Sequence, residues 1–154
     1  MKQVEIPTDT PAGAAVTELI LDIFRLNGRL LAAGDRLVAD IGLTSARWQV
    51  LGAIALAAAP SPVAHLARGM GLTRQGVQRI VNELAAEGLV ALAPNPHHRR
   101  AQLVLLTQTG RNAYQAASDR QVPWVNRLAE GLDERDIAAA RRVLCALIQQ
   151  LETS

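Results

Sequence analysis

The four residues Gly69-Met70-Gly71-Leu72 constrain this chain more than any other stretch. Before them, Ser61-Pro62 reads as a cap followed by proline at the first helical position, where its missing N–H costs nothing, and predicts a short helix to Arg68. After them, Thr73 is placed to cap a second helix that runs through Glu87 and stops at Gly88. Two short helices joined by a glycine-containing turn of about three to four residues have the spacing and turn chemistry of a helix-turn-helix. Immediately downstream, residues 89–93 and 101–106 are short apolar runs with alternating positions. Between them lies Pro94-Asn95-Pro96-His97-His98-Arg99-Arg100, so the pattern predicts a hairpin with a basic tip.

The rest of the chain has helical period. From 12 to about 41, Ala15, Val16, Leu19, Ile20, Ile23, Leu26, Leu30, Leu37 and Val38 recur at three- and four-residue steps, marking one long helix that Gly28 and Gly34 weaken. Thr44 caps a helix to about Ala58, with Trp48, Leu51, Ile54 and Ala55 on one buried face and Pro60 beyond it. Thr107 opens another, with Tyr114, Ala117, Val122, Val125 and Leu128 in step, a kink expected at Pro123 and a stop at Gly131. Asp133 caps the last, which carries Ile137, Ala140, Val143, Leu144, Leu147, Ile148 and Leu151 in a broad apolar stripe. Residues 1–11 are polar, hold Pro7 and Pro11, and read as a flexible arm.

Composition excludes several classes. Hydrophobic residues make up 49% of the 154 but aromatics only 3%, so the core is aliphatic and favours helices over a sandwich or barrel. The longest nearly apolar run, residues 50–59, is about half of a bilayer span. The N-terminus lacks the apolar stretch of a secretory signal, and the lone Cys145 can form neither an internal disulfide nor a cysteine-based zinc site, so a reducing cytoplasm is expected. Cys145, flanked by Leu144 and Ala146, reads as a buried structural thiol. There is no Gly-rich phosphate loop, no paired metal motif and no Ser/His/Asp arrangement at recognisable spacing, which argues against an enzyme and predicts no cofactor.

Charge is concentrated in the middle. Residues 60–111 hold Arg68, Arg74, Arg79, Arg99, Arg100 and Arg111 against Glu83 and Glu87, a net of +4 in a chain whose total is +2. A basic patch on a small domain points to a polyanion. In the second helix of the motif, Val77, Ile80, Val81 and Leu84 form the inward face, leaving Thr73, Arg74, Gln75, Gln78, Arg79 and Asn82 outward. Arg and Gln make bidentate contacts to guanine and adenine edges in the major groove, so Thr73, Arg74, Gln75, Gln78 and Arg79 are the expected DNA contacts. A merely solvated polar face is the alternative for that helix, but Arg99 and Arg100 follow at a proline-braced tip, where an extended arginine enters a narrow minor groove. His97 and His98, with no acidic or cysteine neighbours, read as surface rather than metal ligands.

Over roughly residues 12–152 the chain resembles the MarR-type transcriptional regulators. The stretches that carry the resemblance are Leu43-Thr44-Ser45-Ala46-Arg47-Trp48-Gln49-Val50-Leu51, the helix-turn-helix ending in Leu84-Ala85-Ala86-Glu87-Gly88-Leu89-Val90, and Leu106-Thr107-Gln108-Thr109-Gly110 after the hairpin. The family's Asp-x-Arg at the wing tip is here His98-Arg99-Arg100. Its aspartate helps to brace the wing, so His98 leaves the brace, and with it the pH behaviour of DNA binding, open.

The resemblance implies a mainly α fold: a winged helix-turn-helix DNA-binding domain at about 44–106 with a helical dimerisation region at about 12–41 and 107–152. It further implies a homodimer on a pseudo-palindromic double-stranded operator, usually a repressor, released by a small aromatic effector. Phe24, Arg25, Arg47, Trp48 and His65 are the candidates for such a ligand's crevice, with Trp48 and Phe24 also readable as core. The competing reading is a winged-helix interaction module that contacts protein or RNA without binding an operator.

Overall fold

The structure is a computed structural model and describes residues 10–154. The arm expected at 1–11 therefore lies outside the described residues up to position 9, and its last two residues are helical punctuation instead. Thr10 accepts a hydrogen bond from the Gly13 N–H at 2.9 Å, and Pro11 occupies the first turn of α1, Pro11–Val38. A 3-10 turn, Ala39–Ile41, follows, and Gly42 leads to α2, Ser45–Leu56, capped by Thr44 as expected. The helix-turn-helix pair is α3, Val63–Met70, and α4, Arg74–Ala86. Between them Gly71 has a φ of 65°, a left-handed conformation that explains why glycine stands there. The wing strands β2, Val90–Ala93, and β3, Leu103–Leu106, pair antiparallel from Val90↔Leu106 to Ala93↔Leu103. Helices α5, Gln108–Ala129, and α6, Glu134–Glu152, complete the chain.

One local expectation needs correction. Ser61-Pro62 does not open α3: it forms the short strand β1, which pairs with β3 through Ser61↔Val104 and Pro62↔Leu103 and gives the sheet order β1-β3-β2. Proline tolerates that edge position because an edge strand can do without one ladder donor. Gly34, for its part, has a packing reason to be glycine. A Cβ there would collide with the Ser45 Oγ, so glycine permits α2 to start hard against α1. The contact is polar and satisfied: the Ser45 N–H donates to Asp35 Oδ1 at 2.7 Å and its hydroxyl to the Leu31 carbonyl at 2.7 Å.

The described chain divides into two compact units, one ending at Arg120 and the other comprising Gln121–Ser154, so α5 runs from the first into the second. The buried core belongs to the first: Val38, Leu43, Val50, Leu51, Leu66, Val77, Val81, Leu84, Val90 and Val104 gather α1, α2, the helix-turn-helix and the sheet around one centre. Thr107 locks the sheet to α5. Its hydroxyl donates to the Gly88 carbonyl at 2.6 Å and accepts from the Gly110 N–H at 3.0 Å. In the second unit α6 buries no residue, and Cys145, expected to be buried, is exposed. Along the α6 stripe Ile137, Val143, Leu144, Ile148 and Leu151 are exposed and Leu147 is half-buried. Helix α5 continues through Pro123, which withholds the backbone donor that would reach the Asp119 carbonyl.

Candidate nucleic-acid interface

Helix α4 is amphipathic because its apolar residues fall at i, i+3, i+4 and i+7: Val77, Ile80, Val81 and Leu84 are all buried. Thr73 starts the helix by accepting from the Gly76 N–H at 3.1 Å, which leaves its own hydroxyl proton free to donate. Arg74, Gln75, Gln78, Arg79 and Asn82 line one continuous outer surface together with Glu83. On it, Gln78 Nε2 donates to Asn82 Oδ1 at 2.9 Å, and Arg79 stands 3.5 Å from Glu83 across an exposed pair that solvent makes weak. Arg74 and Gln75 carry no side-chain bond among the described residues, so the start of the helix presents the more available donors.

The wing tip is built by Asn95. Its side chain accepts from the His97 N–H at 3.0 Å and its carbonyl from the His98 N–H at 3.2 Å, while the Ala101 N–H returns to the His98 carbonyl at 3.2 Å. An asparagine turn thus does the bracing in a loop, residues 94–102, that contains no acid. Both wing arginines are exposed, but they differ in place. Arg100 lines a cleft of about 160 Å³ together with Arg74, Gln78, Gln102 and residues 62–64. Arg99 does not line it.

The five residues expected around a ligand are not gathered in one crevice. Phe24 is 69% exposed on α1, and Arg25 on the same helix pairs with Asp22 at 2.9 Å. Trp48 packs against the core. Arg47 is a strut: Nη1 donates to the Gly42 carbonyl at 3.2 Å and Nη2 pairs with Glu87 at the end of α4, while its buried Nε has no partner. His65 is exposed beside Ala57, Ala58 and Met70. A different cleft, of about 480 Å³, opens between the end of α2, β3 and the start of α5. Its walls are Ile54, Ala55 and Leu106, and Arg111, Tyr114 and Gln115 supply the polar groups. Tyr114 falls in step with the apolar stripe of α5 and packs against the core, which hides from the sequence that it also lines this cleft. The spacing i, i+3, i+4 of Arg111, Tyr114 and Gln115 was the available signal that they share a face.

Among the described residues no group of three His, Cys, Asp or Glu is placed to hold a metal ion, and no helix is long and apolar enough to cross a membrane.

A family model described as MarR family matches residues 41–101. An uncharacterized protein of Mycobacterium tuberculosis is 40% identical over 137 residues, covering 89% of this chain and 94% of that protein. The transcriptional activatory protein BadR of Rhodopseudomonas palustris is 28% identical over 127 residues, covering 79% of this chain and 73% of BadR. The HTH-type transcriptional repressor IacR of Pseudomonas putida is 26% identical over 129 residues, with coverages of 84% and 77%. Among solved structures, CouR of Rhodococcus jostii bound to p-coumaroyl-CoA superposes with a TM-score of 0.73 at 26% identity, covering 82% of this chain and 88% of CouR. The transcriptional regulator MosR of M. tuberculosis, in complex with DNA, gives a TM-score of 0.73 at 24% identity, with coverages of 87% and 96%.

Proposed function

The chain belongs to the MarR family of transcriptional regulators, and from that premise we propose that it binds a pseudo-palindromic operator as a homodimer, represses there, and is released by a small-molecule effector. The observation that carries the reading is the donor surface of α4 joined to the wing by the cleft that Arg74 and Arg100 share. Arg74, Gln75, Gln78 and Arg79, with Thr73 at the helix start, meet base edges in the major groove, and the wing meets the backbone and the adjoining minor groove.

The dimer rests on unsatisfied surface. Ile20, Leu21, Phe24, Leu26 and Leu30 on α1, and Val143, Leu144, Ile148 and Leu151 on α6, are exposed, and a second copy is the partner that buries them by symmetry. A two-fold dimer sets its recognition helices about one DNA turn apart, and the likeness to the repressor IacR supports repression. For release, the cleft walled by Ile54, Ala55 and Leu106, with Arg111, Tyr114 and Gln115 as polar groups, is where the effector binds in this reading. The bound p-coumaroyl-CoA of CouR supports an effector without naming this chain's own.

Selection of duplexes from a random pool by the purified protein at near-physiological salt tests the reading. Enrichment of an inverted repeat with half-sites roughly ten base pairs apart is expected. Failure of the wild type to enrich any sequence would leave the winged domain without an operator and sink the proposal.

A further inference from the structure

Among the described residues one ion pair joins the end of the recognition helix to another element, that of Arg47 with Glu87. We infer that Arg47 is a positioning residue, which sets how strictly a dimer measures the distance between its two half-sites. This rests on the dimeric operator reading above, in which α1 lies in the dimer interface. The observation is a series of bonds running from α1 to the end of α4. Gly34 lets the Ser45 hydroxyl lie against α1, and the bonds from Ser45 to Asp35 and to the Leu31 carbonyl, both 2.7 Å, join α1 to α2. The Thr44 hydroxyl accepts from the Arg47 N–H at 3.2 Å, so the first turn of α2 fixes where the arginine starts. From there Nη1 donates to the Gly42 carbonyl at 3.2 Å and Nη2 pairs with Glu87, the C-cap of α4. At that corner the Gly88 N–H donates to the Ala85 carbonyl at 3.0 Å, and the Gly88 carbonyl accepts from Thr107 at 2.6 Å.

Stability does not account for an arginine here. Its side chain is 14% exposed and its buried Nε has no acceptor, a penalty that an apolar side chain of similar size avoids. What the guanidinium adds is direction. Val77, Ile80, Val81 and Leu84 hold α4 by burial, which is non-directional, whereas a planar fork between two acceptors fixes distance and angle. The tie lies at the opposite end of α4 from Thr73 and Arg74. Thirteen steps of helix make that lever about 20 Å long, so a rotation of about 10° at the tied end moves the DNA end by roughly 3.5 Å, the rise of one base pair.

The test reads spacing and not affinity alone. On operators with one base pair added or removed between the half-sites, the wild type is expected to lose about tenfold or more in affinity, the scale of a mismatched base pair. Arg47→Met keeps the volume and drops the fork, and Glu87→Ala removes the exposed acceptor. Each is expected to cut that loss to about threefold or less with little change in urea midpoint, and the double variant to relax no further than either alone, because both remove one tie.

The assignment is overturned if either folded variant keeps the wild-type penalty for altered spacing. It is overturned too if the variants weaken every spacing alike, in step with a lowered urea midpoint, since that is the mark of a purely structural role. Should the wild type select no operator, the operator reading has failed on its own account, and amide exchange then decides whether Arg47 holds the end of α4. Faster exchange of the amides at 87–89 in Arg47→Met, with those of α1 unchanged, upholds the tie, and equal exchange in wild type and variant removes it.

Discussion

The winged unit and the last helix carry the same kind of apolar pattern and spend it differently. Every large side chain that is fully buried, from Val38 through Leu84 to Val104, lies in the first unit. Helix α6 repeats apolar residues at the same three- and four-residue steps, yet buries none of them within the described chain, and Leu151 remains 78% exposed. The difference teaches what a stripe can and cannot say. Period identifies a face that gains free energy on leaving water, and only the arrangement of other elements decides whether the same chain or a second one supplies the cover.

The largest break in that comparison is expected inside the winged unit. Leu84, with no exposed surface, holds α4 against the core, so Leu84→Ala leaves a cavity and should cost about 2–5 kcal/mol in urea unfolding. A loss below about 1 kcal/mol, by contrast, would mean the core can close over the gap and the two regions are less distinct than their burial implies. Ile148→Glu on α6 probes the other side. Ile148 is 55% exposed, so the substitution removes little packing within the chain; its expected effect is a shift in sedimentation from dimer to the 16.5 kDa monomer, with loss of concentration-dependent melting. An unaltered dimer at micromolar concentration would show that this stripe is not the interface.

How far the sequence was legible follows the same division. Features that depend on a few consecutive residues were readable: Thr44, Thr73 and Asp133 cap the helices expected of them, and the hairpin follows α4 in its expected place. Features decided by remote residues were not. Ser61-Pro62 carries the local signature of a helix start, but Leu103 and Val104, some forty positions away, recruit it into the sheet. Gly34 looks like a flaw in α1 until Ser45 is seen against it. The same holds for the site. The outward face of α4 follows from its period, whereas the cleft shared by Arg74 and Arg100 depends on where the hairpin lies against the helix. Arg47 shows the converse: a polar residue beside Trp48 suggested a ligand contact, and the structure makes it a strut from Gly42 to Glu87.

The smallest effect concerns a polar tie within the winged unit. Arg120, the last residue of that unit, donates from Nε to Asp40 Oδ1 at 3.1 Å and from Nη2 to Oδ2 at 2.6 Å, and steadies itself by donating Nη1 to the Ala116 carbonyl at 2.9 Å. The hydrogen bond from Arg120 holds the Asp40 carboxyl below the usual carboxylate range. In the unfolded chain that carboxyl titrates near its ordinary value, about 3.9. Above that pH both states are ionised and the pair contributes in full; as pH falls through the ordinary value, the unfolded state takes its proton first, and the contribution is lost by the time the folded group protonates. Asp40→Asn should therefore lower stability slightly at pH 7, within the small range of exposed ion pairs, and flatten the decline in urea midpoint below about pH 4. Parallel declines for wild type and variant would show that Asp40 has no linkage to folding. The comparison would then sharpen to apolar burial alone, with the winged unit distinguished from α6 by its core and not by its polar ties.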